Sequence, residues 1–300
     1  MPELKVIANY GDLCGEGPLW DYRNNKLYWT DMTGQKFYCF DWATQKHRIV
    51  KEPYEVCGFA FNASGGYVVA NSSGVWLWDG AAKTQLVADQ ADGSKCQLND
   101  CIADPAGRFL AGSYFYDPTK EYPLGKLISV DTNGKARIVD EGMHLSNGLG
   151  FSPDCDTLYF TDSIARIIYA YDYDAASGTP RNRRVFVRVP DTSGIPDGLT
   201  VDADGFVWSA EWYGSCIVRY DPDGKIERRI MTPAKQTSSL MFGGPDMTDM
   251  FITSAGESTP MPVMPPGYDP NSGNFGGALY KLNLGIQGKK EFIANISLKA

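Results

Sequence analysis

Three copies of one short pattern place an oxygen-bearing side chain ahead of a glycine and an apolar run: Glu16-Gly17-Pro18-Leu19-Trp20, Asn147-Gly148-Leu149-Gly150-Phe151 and Asp197-Gly198-Leu199-Thr200-Val201. Carboxylate and amide oxygens are hard donors, the set that binds Ca²⁺, Mg²⁺ or Mn²⁺. Taken singly, an Asp-Gly or Asn-Gly pair marks a turn, because such side chains bond their own backbone. Three at one repeat position, two of them carboxylates, say more. Two acids brought together away from water require a cation or another counter-charge. Glu16, Asn147 and Asp197 are therefore candidate metal ligands if the chain folds so that they converge.

The element that would bring them together is a repeated strand. Its copies are Leu27-Tyr-Trp-Thr-Asp31, Tyr67-Val-Val-Ala-Asn71, Phe109-Leu-Ala-Gly-Ser113, Leu158-Tyr-Phe-Thr-Asp162, Phe206-Val-Trp-Ser-Ala210 and Met250-Phe-Ile-Thr-Ser254. Their starts lie 40, 42, 49, 48 and 44 residues apart, the period of propeller blades with four strands each. Turns rich in Asp, Asn and Gly precede the copies, as in Asp202-Ala203-Asp204-Gly205, and suit hairpins. Third strands end near an Asp, as in Phe37–Asp41 and Ile168–Asp172. Fourth strands are read at Arg48-Ile-Val, Gln85-Leu-Val, Arg137-Ile-Val and Glu291-Phe-Ile. Short runs of β-branched and aromatic residues without a helical period argue all-β. The chain is predicted to be one six-bladed β-propeller of four-stranded antiparallel blades over residues 1–300. Lys5-Val6-Ile7 is expected to pair with the last blade and close the ring.

In a propeller the first strand of each blade lines the central channel. The equivalent first residues are Glu16, Cys57, Asn99, Asn147, Asp197 and Ser239, all at one end of the tunnel, here the top. Connections between second and third strands emerge at the same end, and two are long: Ser113 to Lys126 and Ser254 to Gly277. Long irregular loops in a compact fold are usually functional, so both are expected to flank the site and serve as its lid. Tyr114, Tyr116, Trp212 and Tyr213 fall just past second strands on this face, as candidate ligand contacts. The other aromatics read as core between blades.

The remaining residues exclude several classes. With 28 Lys+Arg against 36 Asp+Glu the chain is acidic, which argues against nucleic acid. No apolar run approaches a membrane span, and the first residues, MPELKVIANYGD, do not read as a signal peptide. Seven scattered cysteines without a CxxC pair read as reduced thiols of a cytoplasmic protein. His47 and His144 lie far apart in the repeat register, which disfavours a His-rich zinc site. Neither GxSxG, HExxH nor a P-loop occurs.

Several segments together resemble the regucalcin-like sugar lactonases, the senescence-marker-protein, gluconolactonase and luciferin-regenerating-enzyme family. They are Cys14-Gly-Glu-Gly-Pro-Leu-Trp20, Asn99-Asp100 with Ala103-Asp-Pro-Ala-Gly-Arg108, Ser146-Asn-Gly-Leu149, Ile195-Pro-Asp-Gly-Leu199, and Thr237-Ser-Ser through Phe242-Gly-Gly244. They recur in family order along essentially the whole chain. The resemblance implies one catalytic divalent cation on Glu16, Asn147 and Asp197, with Asn99 reaching metal or substrate, and hydrolysis of a sugar lactone to the sugar acid. Ca²⁺, Mg²⁺, Mn²⁺, Zn²⁺ and Fe²⁺ all suit such a site, with metal supply deciding.

The chain departs from the family pattern at Gln97, where many members carry Arg, at Cys101 where Gly is usual, at Ser113-Tyr114 and in the long blade-six loop. Exchanging Arg for Gln removes a charged fork of donors, which bears on which sugar is taken. The expected mechanism has the cation polarise the lactone carbonyl while a water attacks, with Asp197 as base. Asn99, Gln97 and Tyr114 are the expected substrate contacts. Two alternatives are a metal-dependent phosphotriesterase or arylesterase and a non-catalytic calcium-binding propeller. A monomer or small homo-oligomer is expected.

Overall fold

Alternation along a single strand explains the architecture. In Lys26–Asp31, Leu27 and Trp29 point into a cluster with Phe251 and Ile252, whereas Tyr28 points the other way, towards Phe59 and Phe61. Both faces of the sheet are apolar, so a blade is buried only between two other blades, and a ring satisfies every blade at once. Aromatic rings carry much of this packing. Trp20 stacks on Phe251 with centroids 5.8 Å apart, and Phe37 meets Phe59 edge-on at 4.9 Å, geometries favoured by the ring quadrupole.

The computed structural model describes residues 3–88, 97–114, 124–257 and 261–297. Its strands form six four-stranded antiparallel sheets, a six-bladed propeller as the repeat period predicts. The inner strands are Gly15–Asp21, Gly58–Phe61, Leu98–Ala103, Ser146–Phe151, Ile195–Val201 and Thr237–Gly243. Each touches the next around the channel, and the sixth touches the first. Outer strands such as Lys46–Lys51 are polar and largely exposed. Among the described residues the six cysteines are all free thiols, four of them buried.

The N-terminal strand Lys5–Asn9 pairs antiparallel with Ala278–Asn283 and is the outermost strand of blade six. It thereby closes the ring, as expected. The reading of Glu291-Phe-Ile as a fourth strand is corrected by the same observation: the edge position it would need is taken. Residues 288–297 instead cross the bottom of the ring. Gly288 N–H donates to Met247 O at 2.8 Å, Ala294 N–H to Phe61 O at 2.9 Å and Asn295 N–H to Gly107 O at 2.7 Å. Phe292 enters the lower channel on the way, closing the tunnel from below.

Candidate functional site

The inner strands place the candidate ligands through a shared irregularity. The pairing of first with second strand slips between Glu16 and Leu19, Leu98 and Cys101, Asn147 and Leu149, Pro196 and Leu199, and Thr237 and Leu240. A bulge leaves residues of one strand unpaired and re-aims side chains. Here it falls at or beside Glu16, Asn99, Asn147, Asp197 and Ser239 in five of the six blades. The glycine of the motif has a structural reason too. A Cβ on Gly148 would lie 2.3 Å from Leu199 N and 2.7 Å from Asp197 O, and one on Gly198 would collide with the Ser239 side chain. At Gly148 and Gly198 the missing side chain lets the next inner strand come close enough to narrow the tunnel, whereas Gly17 meets nothing within 4 Å and has a φ of +50°.

In blades one and four the last residue of the second strand then fixes where the ligand starts. Asp31 accepts from the Leu13 and Cys14 N–H groups at 3.0 and 2.9 Å, just ahead of Glu16. Asp162 does the same for His144 and Leu145 at 2.9 and 3.2 Å, just ahead of Asn147. In blade five Trp212 occupies the equivalent position opposite Ile195.

Glu16, Asn99, Tyr114, Asn147 and Asp197 line one cavity of about 220 Å³ at the top of the channel. Cys14, Met32, Thr33, Leu145, Ser163, Ile164, Ile195, Trp212, Met261 and Pro262 complete its wall. Asn147 Nδ2 donates to Ser163 Oγ at 3.1 Å, and that hydroxyl donates to Pro196 O at 2.7 Å. Asn99 Nδ2 donates to Ser146 O at 2.9 Å. Both amides are therefore held by their nitrogens, which presents their oxygens as ligand atoms. Gln97 is not among the described lining residues; its carbonyl accepts the Tyr114 N–H at 3.0 Å.

The electrostatics are those of a site short of positive charge. Asp197 is 5% exposed, and its Oδ1 is buried without a hydrogen-bond partner. Burial, then the nearby Glu16, Asp100 and Glu211 carboxylates, push its carboxyl well above the usual range. Glu16 is raised by burial and by Asp100, against one hydrogen bond from the Gly17 N–H at 3.3 Å. No lysine or arginine is among the described residues lining the cavity. The one buried guanidinium close by, Arg166, is spent on the Gly194 and Ser193 carbonyls at 2.8 and 3.1 Å. Among the described residues no three His, Cys, Asp or Glu side chains are grouped for a metal. The donor set here is instead two acids completed by amide oxygens. These residues fit a hard divalent cation, because Asp197 Oδ1 lacks a partner and the two acids lack a counter-charge.

Above this floor the blade-six connection is tied down over the cavity. Met261 N–H donates to Tyr213 Oη at 3.0 Å, Tyr213 packs on Tyr268 with centroids 4.2 Å apart, and Lys235 Nζ donates to Asp269 O at 3.0 Å. The Gln236 side chain holds the Ala255 and Glu257 carbonyls at 3.0 and 2.6 Å. Of this loop, Met261 and Pro262 line the cavity. The blade-three loop, Tyr116 included, lies outside the described residues from 115 to 123. His47 and His144 are not among the lining residues; they bond Tyr10 Oη at 2.7 Å and Asp162 at 3.1 Å.

Sequence reading did not find Asp100 and Glu211 as members of the charge cluster, nor Met32, Ile164, Ile195 and Met261 as its rim. Asp100 had a signal, since it follows Asn99 in a bulged inner strand. The rim residues belong to four blades and share no spacing.

Residues 14–256 match the family described as SMP-30/Gluconolactonase/LRE-like region. Pentonolactonase XacC of Haloferax volcanii is 34% identical over 288 residues, which cover 95% of each chain. Among solved structures, a luciferin-regenerating enzyme superposes with a TM-score of 0.87 at 26% identity, covering 99% of this chain and 100% of its own. A calcium-binding protein, regucalcin, from Agrobacterium tumefaciens superposes with a TM-score of 0.83 at 25% identity, covering 99% and 98%.

Proposed function

The chain belongs to the SMP-30/gluconolactonase/LRE-like family, and from that premise we propose that it is a divalent-cation-dependent lactonase. The observation that carries the reading is the pairing of the half-buried Glu16 with the buried Asp197, one oxygen of which has no partner, in the wall of a 220 Å³ cavity. The pentonolactonase relative supports the reaction, and the calcium-binding regucalcin supports the cofactor.

Glu16, Asn147 and Asp197 would hold the cation, which supplies Lewis acidity to the ester carbonyl when bound. Asp197 would take a proton from the attacking water through the carboxylate oxygen that the cation leaves free. As water adds to the carbonyl carbon the ring C–O bond breaks, and the proton passes to the departing alkoxide. One lactone and one water thus give one hydroxy acid. Asn99 orients the bound ring through its amide oxygen, and Tyr114, held by Gln97, walls the blade-three side. The tethered 261–277 segment excludes bulk water, which strengthens every electrostatic interaction beneath it.

The test is lactone hydrolysis by pH indicator on metal-stripped protein with single cations restored. Turnover that depends on the cation and is lost in Asp197→Asn and Glu16→Gln, with folded protein by circular dichroism, is the expected result. Cation-independent turnover, or turnover of phosphotriesters and none of lactones, would overturn it.

A further inference from the structure

The cavity is divided by origin as well as by chemistry. Its floor comes from the bulged inner strands and is polar: Glu16, Asn99, Asn147 and Asp197. Its rim comes from the starts of blades and the top connections, and there Met32, Leu145, Ile164, Ile195, Trp212 and Met261 predominate. Met32 and Met261 pack onto one apolar cluster with Ile195, Trp212 and Tyr213. Of the polar groups beside this rim, Ser163 is engaged between Asn147 and Pro196 and Arg166 on backbone carbonyls, while the Trp212 Nε1–H is buried without a partner.

From this division we infer that the site takes small neutral lactones that present C–H and methyl surface to the rim. Deoxy-sugar or alkyl-substituted lactones fit that description; fully hydroxylated or anionic ones do not. The inference rests on the lactonase reading for the reaction, and on the cavity alone for the fit. A hydroxyl pressed against the Met32, Leu145, Ile164, Ile195 or Met261 side chains would lose its water without gaining a partner, which weakens binding roughly 5- to 140-fold. A methyl in its place gains about fourfold from burial. A carboxylate or sulfonate would meet no cationic side chain among the described lining residues. The cavity's 220 Å³ lies below the range of about 300–1,000 Å³ for larger ligands, which limits the substrate to a single ring with short substituents.

The experiment compares a hexonolactone with its 6-deoxy counterpart of the same stereochemistry, as kcat/KM on the cation-replete protein. The unreactive lactams of the same pair are compared in parallel as calorimetric Kd. The expected result is at least a tenfold preference for the deoxy member in both measurements. Met261→Gln and Ile164→Gln, checked for folding by Tm, should bring the ratio towards one. Equal affinities for the two lactams, or none for either, would overturn the inference, as would a ratio that neither variant changes. Preferential lactam binding without hydrolysis of any lactone would remove the proposed reaction and leave this inference standing.

Discussion

Replacing Gly148 by Ala tests whether close approach of the inner strands sets the site. The new methyl would sit 2.3 Å from Leu199 N, 2.5 Å from Leu199 Cβ and 2.7 Å from Asp197 O. Two of the three obstacles are backbone atoms of the next blade, so they yield only if that strand moves. Overpacking of this kind costs at the upper end of about 1–3 kcal/mol, offset by roughly 0.5–1 kcal/mol because Ala suits a strand better than Gly. The net cost is about 2 kcal/mol. With about 2.1 cal/mol/K of unfolding entropy per residue, a 300-residue chain loses roughly 1.6 °C per kcal/mol, so Tm should fall by about 3 °C. The strand that must move carries Asp197, so a shift near 1 Å should lower kcat/KM about 100-fold in protein that remains folded. Gly17→Ala is the control for stability, because a Cβ there meets nothing within 4 Å and only its φ of +50° is unfavourable. Thermal unfolding by circular dichroism and lactone hydrolysis read the two effects. A Gly148→Ala protein as stable as Gly17→Ala and as active as the parent would refute the reasoning.

Burial pushes the Asp12 carboxyl up to about 6, against hydrogen bonds from Tyr38 Oη at 2.8 Å and Trp29 Nε1 at 3.1 Å. Its contribution to stability is therefore fully present below its ordinary pKa near 4 and is lost as pH rises through about 6. The loss amounts to about 3 kcal/mol, so urea unfolding at pH 4 and pH 7 should show a larger drop in the parent than in Asp12→Asn. Equal drops would show that Asp12 is not responsible. Asp197→Asn removes a buried acid that has no partner, so without cation it should melt no lower than the parent, while its cation-induced rise in Tm disappears. For the parent that rise corresponds to about 2.7 kcal/mol at a hundredfold excess over Kd, or about 4 °C; an unchanged rise in the variant would remove Asp197 from the ligand set. Tyr213→Phe deletes the acceptor of the Met261 N–H, a bond of about 1 kcal/mol, and should raise KM roughly fivefold with little change in kcat. A fall in kcat alone would argue against a tether that acts on binding.

The propeller and the positions of its floor were legible because both repeat locally. The Leu27-Tyr-Trp-Thr-Asp31 strand and its five counterparts declare the period, and the oxygen-Gly motif marks one point in three of the six inner strands. Glu291-Phe-Ile carried the same local pattern as an edge strand and was misread. No property of those three residues shows that Lys5–Asn9, almost the whole chain away, takes the edge. Gln97 stood at the right sequence position to touch a substrate, yet it is not among the described residues that line the cavity. The sequence by itself thus determined the ring and marked the oxygen-bearing positions, since strand alternation and a repeated short motif are local patterns. The tertiary structure alone decided the charge cluster of Glu16, Asp100, Asp197 and Glu211 and the apolar rim from Met32 to Met261. Those groups lie far apart in the chain and meet only when the ring closes. Their desolvation and mutual repulsion are properties of the assembled cavity, and no spacing of residues records them.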